Sequence, residues 1–296
     1  MKPVPGCVPD ALDKIIATAK AVTHDDFSHS KCLLKVMGKQ AEVGDLGSCP
    51  ADIYLQCWEI ACRALGVKDP YENEKARGDK TALGILKSLQ EQDLQSCNQN
   101  PLNLGIRISF AGAMLDYSGL GRADMQENTL AYLNNAPALD DTDALVAAIE
   151  KADSAMLVAN RAGEIVLDKP LAEAMLAMGK KVYLVVSSKP VFLMATEKDA
   201  ANAGYPDGVE VITPGPAMYG LVPERASSEF RDLLSEVGLV CVKGCTHFPT
   251  RAPQRDMFFI LNAPEQEVAE QLHIPSCRLP VVGIKACAPW SAPRAV

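Results

Sequence analysis

The sequence lacks any excess of positive charge. Over 296 residues it carries 29 Lys and Arg against 37 Asp and Glu, a formal net charge of −8. Nothing there supplies the field needed to neutralise a nucleic-acid backbone or to hold an anionic membrane surface. Neither partner is expected, though a local basic pocket for a small anion stays open. No apolar run approaches the ~20 residues of a membrane span, and Met1 to Pro9 have no apolar core of signal-peptide length. A cytoplasmic location is the resulting expectation. None of the ten cysteines has C-x-x-C spacing, and without a secretion signal a disulfide framework is not expected. Most read as small buried hydrophobes, Cys57 and Cys62 in particular, since they lie in the apolar helical run from Ile53 to Cys62. No internal repeat or low-complexity tract is present.

What is there is an ordinary globular balance, 48% apolar and 22% charged, in a chain long enough to bury one large or two modest cores. Residues 1–138 read as helical. Asp10–Val22 and Phe27–Val43 have apolar residues at helical spacing, and Cys49-Pro50-Ala51-Asp52 reads as a helix start. Pro101–Tyr117 reads as a strongly apolar helix, and Asp141-Thr142-Asp143 as the cap of another. From Ser154 the pattern changes. Short apolar strands are predicted at 155–159, 181–186, 209–213, 239–243, 258–261 and 281–284. Helices fit between them at 165–178, 196–203, 227–237 and 265–272. Such alternation implies an α/β fold over residues 139–296, a mainly parallel, doubly wound sheet with helices on both faces.

Ligands of such sheets sit at the carboxyl ends of the strands. The loops there are Asn160–Glu164, Ser187–Thr196, Pro214–Gly220 and Lys243–His247. Helix starts behind the strands offer free N–H groups and a partial positive charge, which suits an anion. Arg161 and Lys243, with the backbone at Gly163 and Gly244, are the candidate anion-binding residues. Arg would bind bidentately and Lys as a point charge.

These same loops carry a resemblance. Asn160-Arg161-Ala162-Gly163-Glu164-Ile165-Val166-Leu167-Asp168 is similar to the Asp-Asn-Ala-Gly-Glu-Ile-Val-Phe-Asp motif of the damage-control phosphatases. Lys189-Pro190 through Ala195-Thr196 to Asp199-Ala200 resembles that family's Pro…Asn-Asp-Ala-Thr…Asp-Ala segment. Val242-Lys243-Gly244-Cys245-Thr246-His247-Phe248 resembles its Lys-Gly-Gln-Gly-Asn-Phe, and Ala111–Asp116 its Ala-Gly-Asn-x-x-Asp helix. The match runs in order over about residues 101–296. It implies a phosphatase of phosphorylated metabolites dependent on magnesium or manganese, whose metal is held by the Asp and Asn of the first motif and the Asp of the second.

Those metal positions fall here on Asn160, Arg161 and Met194; a one-residue shift gives Ala159 and Asn160 and still loses the carboxylate. Leu193, Ala113, Cys245 and His247 replace further polar residues, and Cys7 is followed three residues later by Asp10 where some members have a second Cys. Gly163, Glu164, Asp168, Lys243, Gly244, Asp116 and Asp199 survive. Two carboxylates are lost and a cation gained where a hard divalent ion would need oxygen ligands. Each charge at ~4 Å is worth about 4 kcal/mol at an effective dielectric of ~20. Magnesium and manganese are therefore not expected to bind, and no other cofactor is implied with certainty.

Three readings follow. The chain binds a small phosphorylated or otherwise anionic metabolite without hydrolysing it. Alternatively it hydrolyses through rebuilt chemistry, with Glu164, Asp168 or Asp116 as acid or base. Or Met194, Cys245 and His247 form a soft-metal or thiol site, since thioether, thiolate and imidazole suit copper(I), zinc or iron–sulfur centres.

Overall fold

The computed structural model describes residues 7–43, 50–91, 100–113, 140–247, 257–262 and 280–286. Helices α1 (Cys7–Val22), α2 (Asp26–Val43), α3 (Pro50–Leu65), α4 (Glu72–Glu91) and α5 (Pro101–Ala113) come first. Then follow α6 (Thr142–Lys151), β1 (Ser154–Val158), α7 (Glu164–Ala177), β2 (Lys181–Val185), α8 (Glu197–Ala203) and β3 (Val209–Ile212). The order closes with α9 (Ser228–Glu236), β4 (Leu239–Lys243), β5 (Met257–Asn262) and β6 (Pro280–Ala286). Each of the six strands lies within two residues of its sequence expectation. The helix expected at 265–272 lies outside the described residues.

The sheet order is β3-β2-β1-β4-β5-β6. β1 to β5 pair in parallel and β6 runs antiparallel on the edge. Strand alternation divides the core in two. Leu157, Leu184, Cys241 and Ile260 face α5, α6, α7 and α8. Met156, Val185, Val242 and Phe259 face the side covered by α9. Among the described residues no helix is long and apolar enough to cross a membrane.

The helical layer does two jobs. α1, α2 and α3 pack around Cys57, Trp58 and Ala61, and this cluster extends to Val191, Phe192 and Met194 in the loop after β2, over the carboxyl edge. α4 and α5 pack on α7 and belong to the sheet's own core. The α4 stripe is Ala82, Ile85, Leu86 and Leu89, at helical spacing. α5 approaches α7 through glycine: a Cβ on Gly105 would stand 2.8 Å from Leu171 Cα. A boundary at residue 138 thus cuts across one continuous apolar cluster. Cys32, Cys57, Cys62 and Cys241 carry free thiols. Burial raises the last three to about 11 or 12, as inert core thiols require.

Candidate functional site

At the carboxyl ends of β1 and β2 the two following loops are laced together. Arg161 and Met194 pair in an isolated antiparallel bridge, and Ser187 and Thr196 in a parallel one. Ala162 N donates to Leu193 O at 3.0 Å, Ala195 N to Asn160 O at 3.0 Å, and Ser187 N to Ala195 O at 2.8 Å. The loop from Ser187 to Thr196 therefore folds back across the strand ends. Its turn contains Phe192 at φ +50°, a conformation unfavourable for a side chain with a Cβ. Aromatic packing holds it there, with Trp58 at 4.7 Å and Tyr219 at 5.2 Å between ring centroids. Trp58 Nε1 also donates to Pro190 O at 3.0 Å.

Behind this edge lies a buried charged network. Lys243 is 0% exposed, and its ammonium stands 3.0 Å from Asp168 Oδ1 and 3.4 Å from Glu164 Oε1. It also donates to Ser109 Oγ at 3.0 Å and to the Ser109 carbonyl. Ser109 Oγ donates to Asp168 Oδ1 at 2.6 Å, and Asn160 Nδ2 to Glu164 Oε2 at 2.8 Å. Glu164 and Asp168 are one helical turn apart, so both project from one face of α7 onto the end of β4. Burial pushes the Asp168 carboxyl up to about 6, against the pull of Lys243. Burial alone would lower Lys243, but Asp168 and Glu164 hold it protonated, above the ordinary lysine value.

This geometry corrects the expected anion clamp. Lys243 does not open on the strand-end cleft; its charge is already matched by two carboxylates inside the fold. Period-two alternation carried the warning, because the register that buries Cys241 buries Lys243 on the same face. The two glycine amides are engaged as well. Gly244 N donates to Ile260 O at 2.9 Å. Gly163 N donates to Asp79 Oδ1 at 2.6 Å, so a carboxylate from α4 sits where an anion was expected, at the start of α7. Asp79 is 3% exposed, and burial raises it to about 6 although the Gly163 amide works the other way. Neither Asp79 nor Ser109 was singled out from sequence. Both are polar residues on the inward face of a helix, and that was the available signal.

Arg161 is half-buried at the strand end, beside Met194. Glu164 and Asp168, expected as acid or base, are 2% and 0% exposed and tied to Lys243. Both are bound into the buried network around Lys243. Asp116, the third candidate, lies outside the described residues. Asn160 turns inward to Glu164, and its amide packs so closely on Gly244 that a Cβ there would stand 2.2 Å from Nδ2.

Of the soft-ligand set, Met194 and His247 face one space. Together with Met218 and Ser187 they line a void of about 20 Å³ at the ends of β1 and β2, whose other walls are mostly aliphatic. His247 Nε2 is 3.2 Å from Ala159 O, and burial lowers its pKa to about 4, so the ring is neutral at pH 7. Cys245 opens the same short 3-10 turn, and its side chain lies outside the described residues. Among the described residues, no three His, Cys, Asp or Glu side chains converge as an ion would require.

Comparison with known proteins agrees with the motifs. The damage-control phosphatase ARMT1-like domain model matches residues 4–276. A damage-control phosphatase of Archaeoglobus fulgidus is 26% identical over 288 residues, covering 93% of this chain and 96% of that protein. One from Pyrococcus horikoshii is 24% identical over 230 residues, 75% of this chain and 76% of its own length. An uncharacterised protein of Methanocaldococcus jannaschii is 24% identical over 281 residues, 91% of each. The crystal structure of a DUF89 family protein from P. horikoshii superposes with a TM-score of 0.85 at 21% identity. It covers 96% of this chain and 99% of that one, and shows the shared fold.

Proposed function

This chain belongs to the damage-control phosphatase ARMT1-like family, and from that premise we propose that it is a cytoplasmic, non-hydrolytic member that binds a small anionic metabolite. One observation carries the loss of hydrolysis. Met194, one of the three positions where the resemblance puts a ligand of the divalent ion, lines a void of about 20 Å³ with Met218 and aliphatic side chains. Magnesium requires near-octahedral oxygen ligation and retains several waters, which this space cannot hold. The residues present do not fit the ion: Asn160 is turned to Glu164, Arg161 is a cation, and Met194 offers sulfur.

A rebuilt hydrolase is disfavoured because Glu164 and Asp168 are enclosed with Lys243, out of reach of a substrate oxygen. The test is an assay of purified protein with p-nitrophenyl phosphate and a panel of sugar phosphates, with and without magnesium and manganese. No metal-dependent turnover is expected; turnover that Met194→Ala abolishes would overturn the proposal. A second reading rests on Met194, Met218 and His247 sharing one void, two thioethers and a neutral imidazole that suit copper(I). Stoichiometric soft metal in anaerobically purified protein would favour it over the first.

A further inference from the structure

Helix α2 is apolar on two faces. Cys32 and Val36, 1% and 0% exposed, face inward and join the cluster of α1 and α3. On the side turned away from them, Phe27, Leu34 and Met37 are 73%, 67% and 46% exposed. They are the three most exposed large apolar side chains among the described residues. A surface helix needs one apolar stripe, on the core, and a second stripe opposite it marks a face that something covers.

The outer residues are regularly spaced. Phe27, Ser30, Leu34, Met37 and Ala41, all exposed, recur at alternating steps of three and four, the seam spacing of a two-stranded helical pair. The seam is in place before any partner arrives. The Asp25 carboxylate accepts Phe27 N at 3.3 Å and Ser28 N at 3.0 Å and so caps the helix at its start. Packing of Cys32 and Val36 in the α1 and α3 cluster holds the rest. The two flanks of the stripe differ in charge, with Asp26 on one side and Lys31 on the other, both exposed. Asp26 Oδ1 stands 3.5 Å from His29 Nδ1, and its side chain is otherwise open to solvent. When two such helices pair in parallel, opposite flanks meet with an offset of five residues. Asp26 of one copy then faces Lys31 of the other, and a two-fold axis makes the contact twice. Leu33 likewise comes across Gly38 of the other copy, where a Cβ would have nothing within 4 Å. In an antiparallel pair like flanks meet, and Asp26 and Lys31 stay apart.

We propose that α2 is the seam of a symmetric dimer, in which it pairs in parallel with α2 of a second copy of this chain. The charges select that occupant. A partner helix of one charge sign would suit one flank and oppose the other, whereas a second copy satisfies both. One pair of helices, each 18 residues and about 27 Å long, covers less than the roughly 1,200 Å² of a stable complex. The dimer is therefore weak, with a dissociation constant of about 10–100 µM. No residue of α2 lines the void at Met194 and His247, so the inference does not depend on the binding reading above.

Sedimentation equilibrium of the full chain tests this, in reducing buffer at low ionic strength and over about 1–300 µM protein. Wild type should pass from monomer to dimer across that range. Leu34→Asp brings two carboxylates together at the centre of the seam and should leave only monomer. Leu83→Ala, at an exposed apolar residue of α4, should change nothing. Asp26→Lys and Lys31→Glu should each weaken the dimer about tenfold, because the two-fold axis makes every change twice. The two together restore opposite charges and should return the dimer to near wild-type strength. Asp26, Lys31 and Leu34 are exposed, and matching melting curves confirm that the variants fold. A wild type that stays monomeric throughout, or a Leu34→Asp variant that dimerises as wild type does, would show the inference to be wrong. If Leu34→Asp is monomeric but the combined charge exchange recovers nothing, the copies do not pair in parallel and the proposed arrangement is overturned.

Discussion

Replacing Lys243 by methionine should be the most damaging single change in the sheet. The ammonium is fully enclosed and faces Asp168 at 3.0 Å and Glu164 at 3.4 Å. Methionine has similar length, so the cavity term is small and the lost charge dominates. Removing one partner from a buried ion pair costs roughly 3–5 kcal/mol, because the other charge is left without compensation. Here two carboxylates are left, one turn apart. For a chain of this size the melting temperature should fall by about 5–10 °C. The pH dependence supplies a second readout. In the wild type burial already raises Asp168 to about 6. Without Lys243 its folded pKa rises further above the unfolded value. The folded state then binds the proton more tightly than the unfolded one. That contribution is fully present below the unfolded pKa and is lost as pH rises through the folded one. The variant's deficit should therefore shrink as pH falls from 7.5 to 5. Adding Glu164→Gln and Asp168→Asn should recover much of the loss at pH 7.5. Urea unfolding followed by circular dichroism measures all three. A loss below 1 kcal/mol, or a deficit indifferent to pH and to neutralised partners, would refute the account.

Asn160→Asp should destabilise by about 2–4 kcal/mol at pH 7, since it faces Glu164 Oε2 at 2.8 Å with a second carboxylate in place of a donor; stability should recover on acidification, and a variant as stable as wild type at pH 7 would contradict this. In wild type Asp79 is raised to about 6, so its contribution falls as pH rises from about 4 through 6. Asp79→Asn should flatten the stability–pH curve across that window, and an unchanged curve would show that Asp79 is not buried as described. Gly105→Ala should cost about 1–3 kcal/mol, because its Cβ would stand 2.8 Å from Leu171 Cα and the backbones of α5 and α7 must separate; an unaltered urea midpoint would rule that out.

Strands β1, β2 and β4 were legible because each is a short apolar run bounded by turn residues and buried on both faces. The helices α1, α2 and α3 were legible for the matching reason at period 3.6. α4 was not delimited, although Ala82, Ile85, Leu86 and Leu89 form a regular stripe, because charged residues crowd its first half. The site was harder. Its loops were found from topology, yet position on a loop does not say which way a side chain turns. Lys243 and Arg161 follow strands of one sheet, but the last residue of β4 points into the face and is claimed by α7. Asp79 was invisible for another reason: its partner Gly163 is 84 residues away, and no local pattern records that meeting.

Apart from Asn160, a departure bonded into the buried network at Glu164, the described positions that match the family and those that depart from it divide by place in the fold. Glu164, Asp168 and Lys243 match, and they form the buried network joining α5, α7 and β4. Gly163 and Gly244 match, and both sit at positive φ, where a side chain would be strained. Asp199 matches, and it closes the capping box of α8. The departures Met194 and His247 face the small void at the strand ends, and Arg161 is bridged to Met194 beside it. A chain that needed only the fold would keep the first group and could exchange the second, because burying two carboxylates there without a cation costs stability. Methionine and neutral histidine fill that space at no such cost. The matched positions thus carry the buried charges and the positive-φ turns of the fold, while Met194 and His247 carry apolar and neutral packing at the strand ends.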